Sequence, residues 1–354
     1  RGSLCLFMIV ACLIVFSACS REYKQHEYSI FAFGTIIDIT LYGTDRQRAD
    51  TVFEQLQQRF NEFHQNWSPW ADGDLALLNE KLSKVGNAVT RETIEVPAHL
   101  LPIIRASIQL SKQSENYFNP AIGQLINLWQ FHKYQDKDIH PPDKEDILYL
   151  TEKDPKMSDL SLDEHQRLLN TNAAVSLNFG AFAKGYAITL AMQHLKQNGI
   201  DNAVVNAGGD LSVIGKHGDR AWNIGIRHPR KNGILASIEL GENESVFTSG
   251  DYERYYFYQD KRYHHILDPI TGYPGSDTQS VTVLHSDAGV ADAAATALFV
   301  AGPDNWQRIA KKMGVDTVML VDSNGDIHLT PAMQKRIKFL DKSPASHIII
   351  SRAL

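Results

Sequence analysis

All three cysteines, Cys5, Cys12 and Cys19, lie in one N-terminal stretch, and the chain beyond them has none. Everything downstream must fold without a disulfide, a thiolate nucleophile or a cysteine-ligated metal, which excludes cysteine proteases, thiol redox proteins and zinc ribbons. A chain of 354 residues can bury enough apolar surface to be stable without covalent staples. With 43% hydrophobic and 21% charged residues, it has the balance of a globular protein, built as one large domain or two subdomains. A formal net charge of -6 argues against a nucleic-acid binder, which shows a basic balance or stripe.

The cysteines also mark an address. Leu4 to Val15 is an almost unbroken apolar run. At about 1.5 Å of helical rise per residue it falls short of the roughly 20 residues that span a bilayer. It fits the apolar core of a signal peptide better than a membrane anchor. Phe16-Ser17-Ala18-Cys19-Ser20 follows, with small residues before a cysteine and a polar chain after it. This resembles a lipobox, in which Cys19 is lipidated and becomes the mature N-terminus; an ordinary signal peptide cleaved nearby is the alternative. The expected location is the cell envelope, lipid-anchored on the periplasmic side. No second apolar run is long enough to cross a membrane, and there is no fixed-period repeat or low-complexity tract.

Residues 28–42 are rich in β-branched and aromatic types and predict a strand. Val52, Phe53, Leu56, Phe60 and Phe63 recur at helical spacing and predict a helix over 45–65. A Trp-rich loop, Asn66 to Trp70, leads into a short helix ending near Asn79, and Pro97 to Ser114 reads as another helix. Residues 132–160 are polar, contain Pro141-Pro142, and suggest a surface excursion. The second half is denser: a helix to about Asn198, then strands at 203–206, 211–215 and 222–227. Two strands flanking Thr248-Ser249-Gly250-Asp251, a strand at 281–284 and an Ala-rich helix from Ala288 to Val300 follow. Adjacent strands and separate helices favour an α+β fold over regular α/β alternation.

Several stretches could carry chemistry. Asn178 to Gly185 sets glycines and Lys184 where a strand turns into a helix, a junction whose exposed N–H groups and dipole suit a phosphate. A tight turn with a solvated lysine needs the same residues. Asn206-Ala207-Gly208-Gly209-Asp210 follows a buried strand, and its paired glycines allow either close approach of a ligand or a turn. Asp292 and Thr296 fall on one helix face and offer hard oxygen ligands suited to Mg²⁺. Local hydrogen bonding within the helix would explain them equally. His264 and His265, adjacent on a strand, point to opposite faces, so at most one faces a site, as a general acid/base or phosphate contact. Arg254, among Tyr252, Tyr255 and Tyr256, is an anion contact or a sheet-edge cation.

Taken in order, these blocks carry more than they do singly. Phe33-Gly34-Thr35, Phe118-Asn119-Pro120, Asn178 to Gly185, Asn206 to Asp210, Thr248 to Arg254, His265 to Gly272 and Ala291 to Thr296 together closely resemble the ApbE family of FAD:protein FMN transferases. The resemblance covers roughly residues 28–333. It implies an ApbE-like α+β domain of mixed and antiparallel sheets flanked by helices, with an FAD/Mg site in a cleft between two halves. Residues 1–18 then form the lipoprotein signal peptide, 19–27 a lipidated linker and 334–354 a C-terminal tail. The implied reaction cuts FAD at its pyrophosphate, joins FMN through a phosphoester to a Thr or Ser hydroxyl of a target protein, and releases AMP. The implied targets are flavin-carrying subunits of Rnf-type or sodium-pumping quinone reductase-type complexes.

Residue by residue, the match assigns Mg²⁺ to the carbonyl of Ala181 and the side chains of Asp292 and Thr296. It assigns FAD contacts to Asn178, Lys184, Phe33, Phe118, Asn119, Pro120 and Ile266. Gly208, Gly209, Asp210, Ser249 and Arg254 join them as cofactor-binding positions. His265 matches the histidine needed for transfer, to deprotonate the incoming hydroxyl or to orient the phosphate. Trp70 stands near where many members have a tyrosine and is assigned to stacking on a flavin or adenine ring, with a core or surface Trp as the alternative. Asn178 and Asn119 stand where the family commonly has Asp, which keeps hydrogen bonding and loses a charge. Two further readings remain open: an FAD pyrophosphatase that uses water as acceptor, and a non-catalytic periplasmic FAD-binding lipoprotein.

Overall fold

Residues 28–42, expected as one strand, form a hairpin. β1 (Gln25–Ala32) and β2 (Thr35–Tyr42) pair antiparallel with Ala32 opposite Thr35, leaving Phe33–Gly34 as a tight turn. Both turn residues have positive φ, 53° and 74°, the combination that matches the twist of two-residue hairpins. The lone glycine inside a strand pattern was the signal for this break. The computed structural model describes residues 24–70, 72–85, 92–136, 138–340 and 347–354. The apolar leader and Cys19 lie outside them.

After the hairpin come α1 (Arg46–Asn66), whose start Asp45 caps by accepting from the Arg48 N–H at 2.9 Å, and α2 (Asp74–Val85). β3 (Thr93–Ile94), α3 (Leu101–Gln113), α4 (Gly123–Trp129), α5 (Lys144–Glu152), β4 (Leu160–Leu162) and β5 (Leu168–Asn170) follow. The second half runs α6 (Ala183–Gln197), β6 (Asn202–Ala207), β7 (Asp210–Ile214), β8 (Trp222–Arg227), β9 (Ile234–Leu240) and β10 (Ser245–Gly250). It continues with β11 (Tyr255–Tyr258), β12 (Lys261–His264), β13 (Thr278–His285), α7 (Ala288–Met313), β14 (Thr317–Asp322) and β15 (Ile327–Leu329). α8 (Pro331–Gln334), β16 (Ile337–Phe339) and β17 (Ile348–Ile350) end the chain.

A nine-stranded sheet in the order β1-β2-β6-β7-β10-β13-β14-β15-β17 is antiparallel except for the parallel β15–β17 pair. Alternation along its strands sorts side chains between two faces. Val205, Phe247, Val283 and Leu320 pack into the large core with α1, α6 and α7, while Val213, Val246, Met319 and Val321 pack on the small sheet β16-β9-β8. The result is three layers of helices, sheet and sheet, an α+β arrangement.

Five expectations change. Residues 132–160 are more than a surface excursion: α5 buries Ile147, and Met157 and Leu160 enter the large core. Residues 334–354 contribute β16 and β17 to two sheets, and β1 starts at Gln25, inside the stretch assigned to a linker. The tetrad Thr248 to Asp251 does not lie between two strands, since its first three residues end β10. The Ala-rich helix expected to stop at Val300 is interrupted at Gly302 (φ 67°, ψ 179°), and Pro303 then leads a second segment to Met313.

Candidate active site

A cleft of about 520 Å³ opens where the turns of two hairpins meet the start of α6 and the first turns of α7. Every site residue singled out from sequence, apart from Cys19, lines it. The second hairpin is β6–β7, joined by Gly208–Gly209, whose positive φ values of 68° and 105° make the same kind of tight turn. A Cβ on Gly208 would lie 2.6 Å from the Thr35 hydroxyl, so the two turns can sit side by side only with glycine there.

At the floor, α6 and α7 come unusually close. A Cβ on Gly185 would stand 2.3 Å from the Ala288 carbonyl oxygen and 2.6 Å from the Asp292 Cβ. Bare backbone at Gly185 lets its N–H donate to Asp292 Oδ2 at 2.9 Å, which ties the helices together. Lys184, one residue earlier, makes an ion pair with Asp210, and Asp210 Oδ1 accepts from the Thr248 N–H at 2.9 Å. Burial works against the charge on Lys184, but Asp210 and Asp292 outweigh it and hold its pKa above the ordinary lysine value. Burial pushes the Asp292 carboxyl well above the usual carboxylate range, with Lys184 pulling the other way. Beside them the Thr296 hydroxyl lies 3.2 Å from that of Ser249, and Ala181 precedes α6 on the same wall. Among the described residues no three His, Cys, Asp or Glu side chains gather as a metal cluster. The oxygen donors here are one carboxylate, hydroxyls and a main-chain carbonyl.

The two asparagines behave differently. Asn119 is structural: its Nδ2 donates to the Pro155 carbonyl at 2.8 Å and its Oδ1 accepts from the Ala121 N–H at 3.1 Å. Asn178 is 4% exposed, and its Oδ1 accepts from the Gly180 N–H at 2.9 Å, while its Nδ2 is buried without a partner. A buried donor left unpaired costs about 1–3 kcal/mol, and Asn178 is the one cleft-lining residue whose side chain carries such a donor among the described residues.

The two histidines do face different ways, although only His264 belongs to a strand, since β12 ends there and His265 lies just beyond it. His264 turns inward, with Nε2 2.7 Å from the Gly275 carbonyl and its ring edge-on to Phe299. His265 faces the cleft, with its N–H and its Nδ1 both directed at the Arg254 carbonyl, 3.0 and 3.3 Å away. Burial, then the charge of Arg254 and the neighbouring His264, hold its pKa well below the ordinary histidine value. It is therefore neutral at pH 7. Arg254 itself makes no ion pair among the described residues.

Aromatic groups close the rim. Trp70 is half-exposed, donates from Nε1 to Asn127 Oδ1 at 2.7 Å and leans on His132. Phe33 lies roughly parallel to Trp67, with ring centroids 6.3 Å apart, while Phe118, fully buried, packs edge-on to Phe182. Pro120 and Ile266 line the wall between them. Sequence reasoning passed over Tyr117, Tyr134 and the β8 residues Gly225, Ile226 and Arg227, which also line the cleft. Nothing local marks them; β8 reads as any strand until the sheet order is known.

A family model described as the ApbE family matches residues 33–319. The chain is 35% identical over 313 residues to an FAD:protein FMN transferase of Rhodobacter capsulatus, an alignment covering 88% of this chain and 58% of that protein. It is 30% identical over 330 residues to an FAD:protein FMN transferase of Klebsiella pneumoniae, covering 90% of this chain and 96% of the relative. Among solved structures, the ApbE protein of Thermotoga maritima superposes with a TM-score of 0.77 at 29% identity, covering 88% of this chain and 99% of that one. The flavinyl transferase ApbE of Pseudomonas stutzeri gives 0.74 at 26% identity, covering 88% and 96%. With the family model spanning most of the chain and the site blocks gathered in one cleft, the chain belongs to the ApbE family.

Proposed function

We propose that the chain is an FAD:protein FMN transferase that acts in its cleft on FAD and a hydroxyl of an acceptor protein. The observation that carries this is the convergence of Lys184, Asp210, Asp292, Thr296 and His265 at one place, between rims able to hold an aromatic ring. In the reaction, the oxygen of an acceptor Thr or Ser bonds to the phosphorus of the FMN half. The bridging P–O bond breaks, AMP leaves with that oxygen, and the hydroxyl proton is lost. Phosphoryl transfer asks mainly for placement and charge compensation.

The residues present fit both small partners. The unpaired Nδ2 of Asn178 supplies a donor for an acceptor atom of FAD, and the open guanidinium of Arg254 suits an anionic phosphate. Hard oxygen donors at Asp292, Thr296 and the Ala181 carbonyl suit Mg²⁺, which keeps several waters and borrows phosphate oxygens. When bound there, Mg²⁺ neutralises charge on the oxygens of the pyrophosphate. Lys184 adds a fixed positive charge at the same point, held in place by Asp210. Neutral His265 is able to take the proton of the incoming hydroxyl.

For the location, a lipid on Cys19 would hold the domain on the periplasmic side, and the resemblance to enzymes whose targets sit at the inner membrane favours that membrane over the outer. No helix of the described residues is long and apolar enough to cross a membrane. Acceptors there would be flavin-carrying subunits of Rnf-type or sodium-pumping quinone reductase-type complexes. The test is to incubate the chain from residue 21 onward with FAD, Mg²⁺ and such a subunit. Covalent FMN on the subunit together with AMP is expected. AMP without labelled subunit would leave a pyrophosphatase, and neither product would leave a flavin-binding protein.

A further inference from the structure

β8 is the outer strand of the small sheet, and its sequence Trp-Asn-Ile-Gly-Ile carries no charge before Arg227. Among the described residues no hydrogen bond reaches its outer edge. Natural sheets protect such edges with charges, prolines or covering loops, because open N–H and C=O groups recruit another strand. Here the edge is bare as far as Ile226 and borders the cleft: Gly225, Ile226 and Arg227 line it together with the Phe33–Gly34 turn, and only at its end does Arg227 pair with Glu253 at 3.8 Å and lie over the Tyr252 ring. Just behind that turn, Phe31 and Ile36 face each other across the β1–β2 ladder, 70% and 57% exposed. Asp292 is only 6% exposed, at the floor of the cleft, so a hydroxyl that must reach a phosphate held there arrives more readily on an extended segment than on the flat surface of a folded domain.

Resting on the flavin-transfer reading, we propose that β8 is a docking strand. An extended segment of the acceptor protein adds to its free edge, packs apolar side chains on Phe31 and Ile36, and so delivers its Thr or Ser hydroxyl into the cleft. Main-chain pairing gives affinity, and the apolar pair gives register. β17 also exposes three isoleucines, but at the end of the main sheet opposite β1, away from the cleft, so it serves as a control.

The experiment measures FMN transfer to a subunit that the unaltered chain labels, with Phe31→Glu, Ile36→Glu and, as control, Ile349→Glu. The first two are expected to raise the KM for the subunit by about tenfold or more, with the KM for FAD unchanged and the control like the parent. Hydrogen exchange should show new protection over residues 223–227 when the subunit is added. Equal KM values in all variants, or no new protection of β8, would overturn docking while leaving flavin transfer intact. Protection of β8 that depends on protein concentration without the subunit would assign the edge to a second copy of the chain. Failure of the unaltered chain to label any subunit would overturn the transferase reading and docking together.

Discussion

Asp292 is costly to the fold and, on the proposed reading, necessary to the chemistry. Its pKa is raised by burial above that of an unfolded Asp, so the folded protein binds the extra proton more tightly. Stability is therefore lost as pH rises from the unfolded value through the folded one, and the ionised residue is a net burden above it. In metal-free protein at pH 8, Asp292→Asn should raise stability, by about 1 kcal/mol or roughly 1–2 °C in Tm, while abolishing Mg²⁺-dependent AMP release. A variant less stable than the parent would contradict the burial cost, and one still active would contradict the metal role. His265 behaves oppositely: its depressed pKa keeps it neutral, so the acid limb of kcat/KM should fall well below pH 6.5. His265→Ala should slow transfer by about 10²–10⁴-fold with FAD affinity retained, checked by single-turnover kinetics and FAD titration. At this scale the sequence was informative where chemistry is local, as in the opposed faces of His264 and His265. It could not reveal that Asn119 spends its amide on Pro155 and Ala121 while Asn178 keeps a free donor, because both partner sets come from chain folding.

Among elements, the junction of α6 and α7 carries the site. A methyl at Gly185 would press on both the Ala288 carbonyl and Asp292. Gly185→Ala should cost about 1–3 kcal/mol by overpacking and weaken Mg²⁺ binding by separating Asp292 from its Gly185 N–H. Thermal melts and Mg²⁺ titrations would measure the two effects, and a parent-like variant would show that the close approach is dispensable. Helix and strand periodicity made most elements legible, including α1, α6 and the strand β8. The misses have physical reasons. A two-residue turn split β1 from β2 within one β-rich run, and α5 hides a single buried residue, Ile147, in a polar segment. Strands β16 and β17 are too short to signal themselves and exist through pairing with β9 and β15.

For the whole molecule, the order of the sheet turns scattered motifs into one site. Phe33, Asn178, Gly208, His265 and Asp292 are far apart in sequence, yet strand order β2-β6-β7-β10 and the helix layer bring them to one cleft. That convergence was legible only through family resemblance, because spacing along the chain carries no information about crossovers. A ligand that binds only the folded state stabilises it by about 2.7 kcal/mol at a hundred times its Kd. FAD with Mg²⁺ should therefore raise Tm in the parent, and Lys184→Ala should lose most of that shift; an unchanged shift would remove Lys184 from the phosphate site. The central claim is that cleavage of FAD and labelling of the acceptor are one event in this cleft. A time course of AMP release and acceptor-bound FMN tests it most directly: the two should rise one for one with Mg²⁺ present and both stop on chelation. AMP that accumulates ahead of bound FMN, or labelling that persists without the metal, would contradict it.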